Sequence, residues 1–523
     1  MSKQSFIKGT LILLAAGLVN RLLGFVPRIT LPRVIGAEGV GLYQIVWPFL
    51  IVVLTFITGG IPVAVAKLVA EAEAERNERR IRSILKLALA ITCSLSVLFT
   101  ALCLIGAEWI TTRLMTDDRV YYTFLCMIPI IGLIGVSSVF RGYFQGRQNM
   151  IPTATSQTAE TIVRIIMMLS GAYVLLPYGV EVAAAGAMLG VLAGELAGLL
   201  LLLYHYRESV KASAPKVQAT IGTSTSVRRL SGLRRMLKIS VPITGSKLVG
   251  ATSYLLESIF ITQALAVAGI STAMATAQYG ALQGMVIPIL LLPSALTSSL
   301  SVSLIPSLSE AAARKDMDTI HKLLRQSLRL ALVSGAPFGV LMYVLADPIC
   351  VYLYNQPNVG VLLKMMAPVA VFIYFQAPLQ AALQALDRPG SALVNTLIGS
   401  VIKLGLIALL ASKPELGIKG AVFAINVNIV LVTLLHWSSV VRALKFSMNL
   451  PDFVKIGAAM AVSGLSSYAV MAVGWTDSGW IRFLSSAALG MTVYVMMVVW
   501  MGLIDTSDVQ RMKRWGRKIW RRT

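Results

Sequence analysis

Four basic side chains lie inside long apolar stretches of the sequence and are the first residues that could bind a ligand. They are Arg21, Arg164, Lys247 and Lys403. A charged side chain at the centre of a bilayer costs roughly 2.5–3.5 kcal/mol on insertion scales, so such residues are functional candidates. Because few acidic residues accompany them, the pattern indicates a cavity that holds an anion.

The first apolar stretch carries its basic residues on one small helical face. Gly17, Arg21, Gly24 and Arg28 are spaced i, i+4, i+7 and i+11, which places them on one side of a helix. One interpretation is a groove that an anion can approach closely. The alternative is a packing face whose Arg21 extends to the interface, although Arg21 lies roughly 20 Å along the helix from Lys8.

Two later stretches present a related polar face. In the fifth, Glu160 can pair with Arg164 at i, i+4, either next to a ligand or as a purely structural pair. In the eleventh, Asn395 and Lys403 lie on the matching face, and Gly399 stands where the fifth has Glu160. Lys403 therefore lacks a counter-charge in its own helix and is expected to be freer to meet an anion.

The seventh stretch aligns Lys247, Gly250, Tyr254 and Glu257 on one face. Lys247 is a candidate for anion binding. Glu257 is a candidate for coupling to Na⁺ or H⁺, and the alternative is a structural acid that bonds to a neighbouring helix.

Composition places all of these residues in a membrane. The chain has 523 residues, of which 56% are hydrophobic and only 13% charged, and its mean hydropathy is +0.77; soluble proteins average about 25% charged residues. We predict an all-α polytopic fold with fourteen spans. The predicted spans are 9–27, 40–66, 84–107, 121–142, 153–176, 182–205, 239–268, 273–305, 323–347, 360–384, 391–412, 416–441, 452–474 and 480–504. In the sixth, glycines recur at every fourth position from Gly186 to Gly198, which predicts close helix packing.

The distribution of the +23 net charge argues for lipid rather than nucleic acid as the partner. Basic residues concentrate in alternate connecting loops, in a linker near 206–237 and in the C-terminal tail, where Trp515 and Trp520 accompany them. That alternation predicts a cell-membrane protein with both termini in the cytoplasm. The linker and the tail are expected to contact anionic lipid.

Repeated spacings indicate two related halves of six spans, an arrangement that secondary transporters share. The two matching sets are each separated by 16 and 19 residues: Pro129, Gln145 and Arg164, and Pro368, Gln384 and Lys403. A shorter echo relates 41–44 (GLYQ) to 280–283 (GALQ). We predict an N-lobe (1–206), a basic linker (207–238), a C-lobe (239–442), two extra spans (443–505) and a tail (506–523).

Motifs for other chemistry are missing from the sequence. It contains no G-x-x-x-x-G-K-[ST] and no H-E-x-x-H motif, and its four cysteines form no CxxC pair. Neither a catalytic centre nor a metal site or cofactor is expected, so the chain is predicted not to be an enzyme.

Several segments resemble the MurJ-type lipid II flippases of the multidrug/oligosaccharidyl-lipid/polysaccharide (MOP) exporter superfamily, and two of them resemble its sporulation branch. The general matches are 20–25 (NRLLGF), 33–37 (RVIGA) and 305–309 (IPSLS). The matches to the sporulation branch are 39–44 (GVGLYQ) and 140–147 (FRGYFQGR). Together with the plan of six, six and two spans, the resemblance covers essentially the whole chain.

The resemblance implies two lobes around a cationic cavity that alternately opens to each side. The implied ligand is an undecaprenyl-pyrophosphate-linked saccharide, namely lipid II for the spore cortex, whose tail lies along a groove formed with the last two spans. Arg21 matches the family's cavity arginine of the first span, whereas Pro27 shifts the register before Arg28. The family's arginines of the second and eighth spans have no counterpart near 52–53 and 278–280. A family cation site implies that Glu257 and Asn395 take part in coupling to Na⁺ or H⁺, and membrane potential is the alternative.

Three other functions remain open at this level. One is export of another polyprenyl-linked saccharide, such as a capsule or teichoic acid unit. A second is a multidrug/cation antiporter, which Arg21 argues against. The third is a scaffold that recruits cell-wall synthases through the basic loops. If the protein serves sporulation, the outer forespore membrane is its expected place.

Overall fold

The computed structural model describes residues 16–17, 19–213, 225–448 and 450–503, and the regular elements within these ranges are helical. Contacts divide the chain into two compact units. The first comprises Met1–Met285 and Ala411–Ile418, and the second comprises Val286–Leu410 and Lys419–Thr523. This division differs from the lobe boundary near 207–238 that the repeat suggests, so those lobes stay a prediction. Part of the predicted linker (214–224) and the predicted tail (506–523) lie outside the described residues.

Eight long or medium helices build the first unit. They are α1 (Phe25–Thr58), α2 (Ile61–Ala74), α3 (Glu78–Ile105), α4 (Tyr121–Gly146), α5 (Ile151–Leu175), α6 (Val180–Ser213), α7 (Thr225–Val267) and α8 (Thr272–Gly280). A π-helix, Ala281–Val286, follows α8. One part of the core joins buried residues of α2, α3 and α4, among them Leu68, Leu85 and Phe144.

The glycine series of α6 packs against α5, as the sequence predicts. A Cβ on Gly190 would lie 2.2 Å from the Met168 nitrogen, and a Cβ on Gly194 would lie 2.7 Å from the Arg164 Cβ. Neither distance leaves room for a side chain. The stripe therefore allows the backbones of α5 and α6 to touch, and this contact brings polar groups of the two helices together.

Ten α-helices follow among the described residues of the second unit. They are α9 (Ile287–Leu291), α10 (Ser294–Ala313), α11 (Met317–Val344), α12 (Ala346–Tyr354), α13 (Gly360–Met366), α14 (Ala370–Ala385), α15 (Pro389–Leu410), α16 (Ile418–Leu444), α17 (Leu450–Val473) and α18 (Gly479–Trp500). Its core joins α10, α11, α14, α17 and α18 through residues such as Leu324, Leu379 and Val498.

Buried serines join the last two helices. Ser463 Oγ donates to the Gly490 carbonyl at 2.7 Å, and Ser486 Oγ donates to the Ser467 carbonyl at 2.6 Å. All three serines are fully buried. Such hydrogen bonds hold helices together where lipid gives no hydrophobic driving force between them.

Thirteen described segments are long and apolar enough to cross a membrane. One of them, Val19–Ala74, has 56 residues, or roughly 84 Å of continuous helix against a hydrocarbon core of about 30 Å. Gly36 interrupts this segment with φ 67°, so the segment can supply two spans. The all-helical polytopic fold is confirmed, and a count near fourteen is supported.

Two spans that were predicted as continuous helices are interrupted in the structure, so their predicted continuity is wrong. The span 40–66 breaks at Gly59 and Gly60, where a Cβ on Gly60 would lie 2.3 Å from the carbonyl oxygen of Ser240 in α7. The span 273–305 breaks into α8, the π-helix, α9 and α10, with Pro288 and Pro293 in its middle. Glycine and proline end helices locally, and the apolar composition alone did not reveal these breaks.

The repeat is visible in equivalent helices. Gln145 and Gln384 each lie one residue before the last residue of their helix, α4 and α14 respectively. Arg164 lies 13 residues after the first residue of the following helix, α5, and Lys403 lies 14 residues after the first residue of α15. The matched spacings therefore reflect matched structure.

The crossing of α1 and α8 should be sensitive to a single methyl group. A Cβ on Gly280 would lie 2.2 Å from the Ala37 carbonyl oxygen and 2.4 Å from the Gly41 nitrogen, so Gly280→Ala must push two backbones apart. We expect it to destabilise the protein by about 1–3 kcal/mol and to lower its thermal midpoint in detergent. Gly245→Ala is the matched control, because no heavy atom of the described residues lies within 4 Å of its Cβ position. Equal midpoints for the two variants would contradict the close crossing.

Candidate functional site

The small basic face near the start of the described chain is open. Residues 19–23 are helical, and Arg21 and Arg28 are both exposed. No heavy atom of the described residues lies within 4 Å of a Cβ placed on Gly17, and the closest atoms to one on Gly24 belong to its own helical turn. This observation favours the groove over the packing face. The Arg28 guanidinium lies 5.6 Å from the centre of the Phe25 ring, close enough for a cation–π contact.

Lys247 binds the end of α1. Its Nζ donates to the Gly59 carbonyl at 2.8 Å, and one turn earlier the Thr244 hydroxyl accepts from the Gly60 nitrogen at 3.0 Å. A positive charge at the carbonyl end of a helix is favourable. Lys247 therefore has a structural contact in this conformation, and anion binding by it stays a prediction.

Arg164 belongs to an ion-pair network that we call the quartet: Arg141, Glu160, Arg164 and Glu195. Arg141 Nη2 lies 2.6 Å from Glu160 Oε2, and Arg164 Nη2 lies 2.7 Å from Glu195 Oε1. Arg164 also pairs with Glu160 across one turn of α5. The four side chains come from α4, α5 and α6, so the network joins three helices.

The pairing of Glu160 with Arg164 confirms the i, i+4 prediction. The other two members of the quartet, Arg141 and Glu195, were not among the predicted site residues. A usable signal was the position of Glu195 directly after Gly194, where α6 approaches Arg164. The quartet contains two positive and two negative groups, so its formal charges cancel.

The equivalent face of α15 is buried. Asn395 and Lys403 are 7% and 6% exposed, and Asn395 Nδ2 donates to Ser439 Oγ of α16 at 2.9 Å. A Cβ on Gly399 would lie 2.6 Å from Asn428 Oδ1. An acidic side chain at 399 therefore has no room in this conformation. This explains why α15 has a glycine at the position where α5 has Glu160.

Glu257 of α7 is nearly buried and bonded. It is 9% exposed, and its Oε1 accepts from Gln283 Nε2 at 3.0 Å. Gln283 lies in the π-helix Ala281–Val286, an element that often marks functional sites. The contact supports the structural alternative and leaves the coupling prediction standing.

The eight predicted residues are distributed over both units. Six lie in the first unit, and Asn395 and Lys403 lie in the second. A direct contact is seen between Glu160 and Arg164. Within the described ranges, no cluster of three or more His, Cys, Asp or Glu side chains could hold a metal ion.

These features define a class, namely polytopic α-helical membrane proteins whose apolar helices carry basic residues. The chain belongs to the polysaccharide biosynthesis protein family, whose model matches residues 6–312. A second family model, MatE, matches residues 281–409.

Individual relatives agree with this assignment. The chain is 41% identical to stage V sporulation protein B of Bacillus subtilis (strain 168), over 99% of this chain and 100% of that protein. It is 25% identical to the lipid II flippase MurJ of the same organism, over 77% of this chain and 76% of the relative. A solved structure of lipid II flippase MurJ in an inward closed conformation matches with a TM-score of 0.71 at 16% identity, covering 94% of this chain and 99% of that chain. The resemblance to the sporulation branch of the MurJ-type proteins is confirmed.

Proposed function

We propose that this protein is a flippase that moves lipid II across the cytoplasmic membrane by alternating access, for synthesis of the spore cortex. The relatives named above support a lipid-linked substrate. The observation that carries the proposal is the open face of Gly17, Arg21, Gly24 and Arg28. A planar guanidinium donates a fork of hydrogen bonds that matches pyrophosphate oxygens.

The two parts of the substrate require different surroundings in the protein. A pyrophosphate with attached sugars cannot cross hydrocarbon unshielded, whereas a polyprenyl tail is stable in it. Arg21 and Arg28 receive the pyrophosphate, since the described atoms within 4 Å of the Cβ position of the intervening Gly24 belong to its own helical turn. The tail runs along the surface of α17 and α18. Both termini lie in the cytoplasm, as the alternation of basic loops indicates.

Resetting of the carrier requires a driving force. Glu257, held by Gln283, and the buried Asn395 are our candidates for coupling to Na⁺ or H⁺, with membrane potential as the alternative drive. Lys247 and Lys403 replace the two arginines that the family has in the second and eighth spans and that this chain lacks.

Reconstitution tests the substrate directly. We expect proteoliposomes containing the purified protein to flip lipid II at least about tenfold faster than protein-free liposomes. A teichoic-type polyprenyl-pyrophosphate saccharide without the peptide stem, in the same vesicles, is the comparison. Faster flipping of that lipid would replace lipid II as the substrate, and flipping of neither would contradict the flippase.

A further inference from the structure

The carboxylate of Asp117, in the connection before α4, has an unusually complete set of hydrogen bonds. Oδ2 accepts from the Thr276 hydroxyl at 2.6 Å and from Arg119 Nη2 at 2.8 Å. Oδ1 accepts from Arg119 Nε at 3.0 Å and from the Arg119 main-chain nitrogen at 3.1 Å. Asp117 is 3% exposed, so these bonds compensate for removing its charge from water.

The same network reaches two other helices of the first unit. Arg119 also pairs with Glu38 in α1, while Thr276 belongs to α8. We call Glu38, Asp117, Arg119 and Thr276 the latch. It links α1 to α8 through a connection that belongs to neither helix.

Main-chain contacts between α1 and α8 adjoin the latch. A Cβ on Gly41 would lie 2.0 Å from the Thr276 carbonyl oxygen, and one on Gly280 would lie 2.4 Å from the Gly41 nitrogen. Gly41 and Gly280 are the equivalent positions of the GLYQ and GALQ segments. The latch therefore acts where α8, a helix of the predicted second repeat, meets α1 of the predicted first repeat.

We infer that Asp117 is a positioning residue of the transport cycle, which fastens the start of α8 to α1 and releases it when the cavity opens to the external side. The connection before α4 is external in the orientation proposed above, and the inference rests on the proposed function. The latch holds the Thr276 side chain through one hydroxyl bond to Asp117, which can break without disturbing the backbone hydrogen bonds of either helix. Glu38 keeps Arg119 in place when α8 leaves.

Accessibility of a buried reporter tests the latch. Val40 in α1 is 2% exposed, and its Cγ1 lies 2.2 Å from the Cβ position of Gly284 in the π-helix. We would introduce Val40→Cys after replacing Cys93, Cys103, Cys126 and Cys350 by serine. The rate of reaction with a membrane-impermeant maleimide is then measured from outside, in right-side-out vesicles without added substrate.

Asp117→Asn should raise the labelling rate about fivefold or more, since it removes the charge that Arg119 and Thr276 share. Asp118→Asn is the matched control, because Asp118 is the exposed neighbour; its rate should stay within about twofold. Thr276→Val removes only the hydroxyl that ties α8 to Asp117 and should also accelerate labelling. Thr276→Ser keeps a hydroxyl and should label as slowly as the protein with threonine at 276.

Equal labelling of Asp117→Asn and Asp118→Asn in folded protein would overturn the latch. If Asp117→Asn does not fold, the comparison of Thr276→Val with Thr276→Ser decides alone, and equal rates there overturn it. Labelling needs no substrate, so the two failures are distinguishable. An absence of lipid II flipping would refute the proposed function, whereas equal labelling rates would refute the latch.

Discussion

Arg21→Ala is expected to reduce lipid II flipping by about 10- to 150-fold while leaving the protein folded. The estimate follows from the loss of a charge-assisted hydrogen bond worth roughly 1.5–3 kcal/mol, at about 1.4 kcal/mol per tenfold. Folding should be unaffected because Arg21 is exposed and no described atom approaches the Cβ position of Gly17 on the same face. The measurement is the initial flipping rate in proteoliposomes that contain equal amounts of protein.

Two further variants sharpen this test. Arg21→Lys keeps the charge but loses the fork of donors, so its rate should lie between those of the wild type and Arg21→Ala. Arg113→Ala removes an exposed arginine from the π-helix Ile110–Leu114 and should flip like the wild type. Flipping at the wild-type rate by Arg21→Ala, or an equal loss of flipping in Arg113→Ala, would contradict the binding of pyrophosphate by Arg21.

The basic residues that look alike in sequence have different surroundings in the structure. Arg164 is balanced by two carboxylates, and Lys247 binds a helix end. Arg21 and Arg28 are exposed, and no described heavy atom lies within 4 Å of the Cβ position of Gly17 on the same face. The proposed binding role therefore falls mainly on Arg21 and Arg28, and Lys403 is the buried counterpart of Arg164 in the second unit.

Contacts within one helical turn were predictable, and contacts between distant segments were not. The Glu160–Arg164 pair follows from i, i+4 geometry, and the packing of α5 on α6 follows from glycines at every fourth position. Arg141 and Glu195 join Glu160 and Arg164 from 19 and 31 residues away, which no periodicity encodes.

Long-range contacts explain what the sequence could not show. The latch bond from Thr276 to Asp117 spans 159 residues. The break at Gly60 receives the hydroxyl of Thr244 from 184 residues away. The break at Gly60 was not predicted because an apolar stretch interrupted by a tertiary contact looks continuous in composition. The latch bond was not predicted because no periodicity relates positions so far apart in the sequence.

Glu160→Gln is expected to be among the most destabilising substitutions in the first unit. Glu160 is 8% exposed and pairs with both arginines of the quartet. Without its charge, Arg141 loses its carboxylate partner in the quartet, and only Glu195 remains for Arg164. Removing one partner of a buried ion pair typically costs about 3–5 kcal/mol. The thermal midpoint of the detergent-solubilised protein measures the effect.

Glu310→Gln provides the matched control, since Glu310 pairs with Arg314 at i, i+4 on the surface, with side chains 65% and 72% exposed. Such exposed pairs contribute about 0–1 kcal/mol, so its midpoint should hardly move.

Arg141→Gln added to Glu160→Gln restores neutrality and leaves Arg164 with Glu195, so it should recover part of the lost stability. If the double variant is less stable than Glu160→Gln alone, charge balance is not what the quartet contributes, and its hydrogen bonds across α4, α5 and α6 dominate instead. If the double variant recovers stability and flips lipid II normally, the quartet is a structural joint and Arg141 takes no part in transport.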